Sequence, residues 1–150
     1  MKSFPVILFV SCGIFFSLSC KKDTTETFSD TPSITLDGVS PQQVKAYQDS
    51  LVFTVSYTDG NGDLGENDPD VSNLFLTDNR INVTHAFRIP QLAPDGADIP
   101  IEGTLSVVLK GIILTDTTQA QETVNFSVYV KDRAGNSSNT VSSGNVTVVK

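Results

Sequence analysis

The chain has 150 residues, 10 Lys+Arg against 17 Asp+Glu, a formal charge of −7, two Cys, one His and no Trp. That length admits one domain, or one domain with a tail. The acid excess, with no basic stripe, excludes a binder of nucleic-acid phosphates. At 39% hydrophobic residues the chain is too apolar for wholesale disorder. In chain order the first element is a leader: Met1-Lys2-Ser3 is short and basic, and Phe4–Leu18 carries no charge. A run of this length suits the apolar part of a signal peptide and is short for a membrane span, which needs about 20 residues.

Ser17-Leu18-Ser19-Cys20 closes that run and Lys21-Lys22-Asp23 follows. Small residues before a cysteine at this place resemble a bacterial lipobox, with Ser17 where Leu is usual. The charged start after the cysteine resembles surface lipoproteins of the Bacteroidota. The resemblance implies a lipoprotein signal peptide over 1–19. It also implies a diacylglycerol and an N-acyl chain (such as palmitate) on Cys20, and a lipid-anchored place at the outer membrane, facing the cell surface. Two or three acyl chains hold a protein stably, where one does not. Cys12 lies inside the apolar run, so the mature chain keeps no cysteine pair for a disulfide.

Residues 20–32 are Thr-rich and polar and read as a flexible tether. The rest, 33–150, reads as one all-β domain. Leu51, Phe53, Val55 and Tyr57 alternate with Val52, Thr54 and Ser56, and Val124, Phe126, Val128 and Val130 alternate as cleanly. Strands are expected at 33–39, 50–57, 72–77, 82–89, 103–114, 122–131 and 140–149, the last interrupted at Ser143-Gly144-Asn145. Seven short strands between Gly, Pro, Asp and Asn turns favour an antiparallel β-sandwich. Phe126–Asn136, a hydrophobic strand running into Asp132-Arg133-Ala134-Gly135-Asn136, resembles the last hairpin of bacterial Ig-like, PKD-like and cadherin-like domains. That resemblance implies an Ig-like sandwich, although the paired Cys and core Trp of antibody domains are missing.

The most informative stretch is 59–70, with five carboxylates and no base. Like charges packed this closely repel unless solvent or a cation offsets them. Asp59, Asn61, Asp63 and Asp70 stand at positions 1, 3, 5 and 12 of a loop rich in glycine, a pattern of oxygen ligands that suits Ca2+. Leu64 at the sixth position and strand-like flanks depart from the EF-hand. In an Ig-like sandwich this loop and the turn at Asp132 share one end. Asp59, Asn61 and Asp63 are therefore expected as metal ligands, completed from Asp68, Asp70 and Asp132, with Glu66 less central. The competing reading is a solvated loop of Asx-turns.

No catalytic constellation emerges. His85 is the single histidine, and no nucleophile-elbow, phosphate loop or HExxH pattern accompanies it. The chain is expected not to be an enzyme. The expected function is a membrane-anchored, calcium-stabilised structural or interaction module. The alternative is a small glycan-binding lipoprotein of a surface nutrient-uptake system. Partners are the membrane, through the anchor, and a protein or glycan. Tyr129, on the polar face of its strand, is expected to cover the sheet surface, with stacking on a sugar or partner as the alternative, and the Pro-punctuated segment 90–100 reads equally as a binding loop or an inert crossover.

Overall fold

The computed structural model describes residues 28–150. The leader, Cys20 and most of the tether lie outside them, so lipidation at Cys20 lies outside the described residues as well. Among the described residues the secondary structure is entirely β, in ten strands. They are β1 (Ser33–Ser40), β2 (Gln43–Lys45), β3 (Ser50–Asp59), β4 (Leu74–Asp78), β5 (Val83–Phe87), β6 (Ile101–Lys110), β7 (Gln121–Val124), β8 (Phe126–Val130), β9 (Val141–Ser142) and β10 (Val146–Val149).

Three sheets result, in the orders β1-β3-β6, β2-β10-β7 and β5-β4-β8-β9. Every pairing is antiparallel except β2 with β10. The second and third sheets are two stretches of one strand pair. β7 and β8 are separated only by Asn125, and β9 and β10 only by residues 143–145. Side chains hold the break together: Phe126 N–H donates to Ser143 Oγ at 2.8 Å, and Asn79 Nδ2 donates to Asn125 Oδ1 at 2.7 Å.

Period-two patterning explains the core. Leu51, Phe53 and Val55 of β3 and Phe126, Val128 and Val130 of β8 are fully buried, while the residues between them are not. The two inner faces meet where Phe53 packs edge-on against Phe126, with centroids 5.2 Å apart and planes at 87°. Leu74, Leu76, Val146 and Val148 complete the same cluster.

Several boundaries differ from the sequence reading: the strand expected over 122–131 is divided at Asn125, and the one expected over 72–77 starts only at Leu74. The run expected over 103–114 starts earlier and stops at Lys110, because its partner begins there: Ser50 pairs with Lys110 and Asp59 with Ile101. Ile112 and Leu114 are still buried, so apolar character alone carried the expected strand too far. β2 was missed. It is three residues long with one buried apolar side chain, Val44, too short for any period to register.

Candidate metal centre

Asp59 is the last residue of β3 and is fully buried. Its Oδ2 accepts the Leu64 N–H at 2.8 Å, which turns the chain back on itself. Asn61 Oδ1 accepts the Asp63 N–H at 3.3 Å in a second, smaller turn. Gly62 and Gly65 hold φ of +72° and +94°, the left-handed region that side chains disfavour. Leu64 between them is fully buried and fastens the loop to the core. Beyond it, Glu66 N–H donates to the Ile89 carbonyl at 2.9 Å.

The turn after β8 docks on this loop. Arg133 N–H donates to the Asp63 carbonyl and Ala134 N–H to Asp63 Oδ2, both at 3.2 Å. The Arg133 guanidinium donates to the Gly65 carbonyl at 2.9 Å and to the Gly62 carbonyl at 3.5 Å. Asp132 is buried, and its carboxylate accepts Asn136 N–H at 2.7 Å and Asn136 Nδ2 at 2.9 Å. Arg133 is a residue that reading the acidic segment alone overlooks. The base missing from 59–70 arrives from a turn far away in sequence.

Two oxygens stand out. Asp59 Oδ1 and Asp63 Oδ1 are buried and have no hydrogen-bond partner. A buried polar atom without a partner costs free energy, and a charged one costs more. Burial pushes the Asp59 carboxyl above its ordinary range, against the Leu64 N–H, and the charges of Asp63 and Asp132 raise it further. Burial raises Asp63 too, and the charge of Asp132 adds to it, while the Ala134 N–H and the Arg133 charge oppose. Asp59, Asp63 and Asp132 are thus brought into one electrostatic neighbourhood, in which the Arg133 charge acts on Asp63.

Asn61 and Asp63 open onto a shallow cleft of about 450 Å³, whose other wall is Gly96–Asp98 of the long connection. Asp98 is a second residue that sequence spacing did not suggest. Asp68 and Asp70 are exposed, and their side-chain bonding is local: Asp68 Oδ1 accepts the Asp70 N–H at 2.9 Å. Here the Asx-turn reading describes the loop's outer end. Among the described residues no three His, Cys, Asp or Glu side chains are grouped tightly enough to hold a metal ion as they stand. The carboxylate oxygens left without a partner here are Asp59 Oδ1 and Asp63 Oδ1. Two carboxylate oxygens fall short of the shell Ca2+ takes, so Asn61 and backbone carbonyls would have to supply the rest.

The remaining singled-out residues lie elsewhere. His85 lines an apolar cavity of about 190 Å³ with Ile81, Val83, Leu109, Ile112 and Phe126. Tyr129 stacks on Phe75, with centroids 4.9 Å apart and planes at 18°. Comparison with family models, with curated proteins and with solved structures gave no match.

Proposed function

We propose that the protein is a lipid-anchored surface module whose folded part is an Ig-like β-sandwich, stabilised by one Ca2+ and serving structure or interaction. The observation that carries the ion is the pair of orphaned, buried carboxylate oxygens, Asp59 Oδ1 and Asp63 Oδ1. A divalent cation would remove the repulsion among Asp59, Asp63 and Asp132, and would give both oxygens a partner. The Ig-like reading draws support from the sheet orders. β1-β3-β6 forms one layer, and the β2-β10-β7 and β5-β4-β8-β9 stretches, continuous in chain, form the other. Cys20 behind an apolar leader supports the anchor. The reading assigns no catalytic residue.

Thermal melting of the full chain in calcium and in chelator tests the ion. At free Ca2+ of about one hundred times Kd the fold gains about 2.7 kcal/mol. For a chain of this size that is roughly 5–10 °C in Tm. Superimposable curves would remove the ion from the proposal. Detergent-phase partitioning of the full chain and of Cys20→Ala tests the anchor separately. Loss of partitioning in the variant is the expected result.

A further inference from the structure

The β1-β3-β6 sheet is open along one side. All ten residues of β6 pair with β3, without a bulge, and among the described residues no strand pairs with the other edge of β6. The far side of the same sheet is tied down, because Asn139 bonds both main-chain groups of Ile34 in β1. An antiparallel strand with one partner points half of its N–H and C=O groups outward. β6 therefore offers a row of main-chain donors and acceptors to a further strand. Such an edge is commonly blunted by a Pro, a bulge or a charge near its middle. β6 has none of these, and its two charges, Glu102 and Lys110, stand at its ends.

Those charges are placed symmetrically. Ser106 lies midway between them, and Glu102, Thr104, Ser106, Val108 and Lys110 are the exposed residues of the strand. Among the described residues neither Glu102 nor Lys110 has an ion-pair partner. A two-fold contact uses the same patch twice, so it needs a patch that complements itself. Laid antiparallel against β6 of a second copy, with Ser106 facing Ser106, the strand sets Glu102 opposite Lys110 and Lys110 opposite Glu102. Thr104 meets Val108 on that face, and Leu105 meets Val107 on the inner one. Moving the centre by one residue either way breaks both charge pairs. Just outside the strand, the exposed Ile99 and Ile113 are also equally far from Ser106, so the same symmetry relates Ile99 of one copy to Ile113 of the other. β5, at the edge of the β5-β4-β8-β9 sheet, is half as long and holds no acid–base pair.

We propose that β6 is a dimer interface: two copies pair edge to edge, antiparallel and centred on Ser106, into one continuous sheet. Main-chain hydrogen bonds supply the adhesion, and the two Glu102–Lys110 pairs select the register. The partner of this interaction module is then a second copy of the same chain. The proposal stands on strand pairing and charge placement, and needs neither the ion nor the anchor.

The test is sedimentation equilibrium of the full chain in mild detergent, from micromolar to millimolar concentration. A monomer–dimer equilibrium is expected. Glu102→Lys and Lys110→Glu each set like charges opposite each other twice, and each is expected to weaken the dimer roughly tenfold. An equal mixture of the two variants can place Lys against Glu at both pairs and is expected to dimerise as the parent does. Both positions are exposed, so each variant is expected to keep the parent's melting curve at low concentration. In amide exchange, alternate β6 amides are expected to be protected at high concentration and to lose that protection on dilution, while β3 keeps its own. A chain that stays monomeric throughout would overturn the proposal. So would a dimer that the single variants leave unchanged, a mixture no tighter than the variants alone, or a dimer whose β6 amides stay unprotected. Calcium melting and detergent partitioning do not depend on these outcomes, so the readings fail separately.

Discussion

Asp63 shows how one side chain can serve a turn and burden it at once. Its Oδ2 accepts the Ala134 N–H that docks the two loops, while its Oδ1 is buried with nothing to bond. Asp63→Asn keeps an acceptor for Ala134 and removes a charge raised by burial and by Asp132. In chelator the variant is expected to melt above the parent, and calcium is expected to leave its curve in place. Gly65 is constrained for a different reason. Its φ of +94° disfavours any side chain, and an added Cβ would collide with the Pro90 carbonyl. Gly65→Ala therefore strains the loop and pushes away the long connection; a loss of about 1–3 kcal/mol is expected in urea denaturation. In the core, Phe53→Ala removes the ring that meets Phe126 between the sheets and is expected to cost about 3–5 kcal/mol.

Among the elements, two polar side chains act as substitute strands. Asn139 Oδ1 accepts the Ile34 N–H at 2.9 Å and its Nδ2 donates to the Ile34 carbonyl at 2.8 Å, which ties β1 to the segment before β9. Asn73 makes the same pair of bonds with Ile89, beyond the end of β5. Losing two such bonds in Asn139→Ala is expected to cost about 1–2 kcal/mol, with faster amide exchange at Ile34. At the end of the molecule where β4 finishes, Arg80 joins Asp78 at 2.6 Å and Glu122 at 2.8 Å. The N–H groups of Thr115 and Asp116 hold the Glu122 carboxyl below its ordinary value, helped by the Thr115 hydroxyl and the Arg80 charge. A lowered folded-state pKa means that the stabilisation is complete above the unfolded value, near 4.5, and is lost as pH falls through the folded one. Glu122→Gln is expected to flatten the acid limb of stability below that pH. Its deficit against the parent should be constant above it, as a urea series across pH would record.

At the scale of the whole molecule, the acidic loop also receives the incoming chain. Gly60 N–H donates to the Ser29 carbonyl at 2.8 Å, and the missing Cβ of Gly60 leaves room for the Phe28 carbonyl. If the loop takes up calcium as proposed, exchange of the Gly60 amide is expected to slow on adding the ion, because the loop that carries it is fixed. Much of this architecture was legible beforehand. The β-class, the strands at Leu51–Tyr57 and Phe126–Val130, and the break at Ser143-Gly144-Asn145 all follow from period-two burial and from turn residues, which are local signals, whereas the break at Asn125 did not show in the apolar alternation. The concentration of acid in 59–70 was equally plain. Which of those acids lose their solvent was not. Asp59 is buried, Asp63 is half-buried with its Oδ1 sealed, and Asp68 and Asp70 are exposed, because the turn bearing Arg133 packs on one end of the loop and not the other. The same holds for Phe75, which stacks on Tyr129 only because register sets the two opposite each other. By itself the sequence determined most of the strands and the charge of the loop, since each depends on near neighbours. The tertiary structure alone decided which oxygens are stranded and which rings stack, because both depend on what a distant segment brings up.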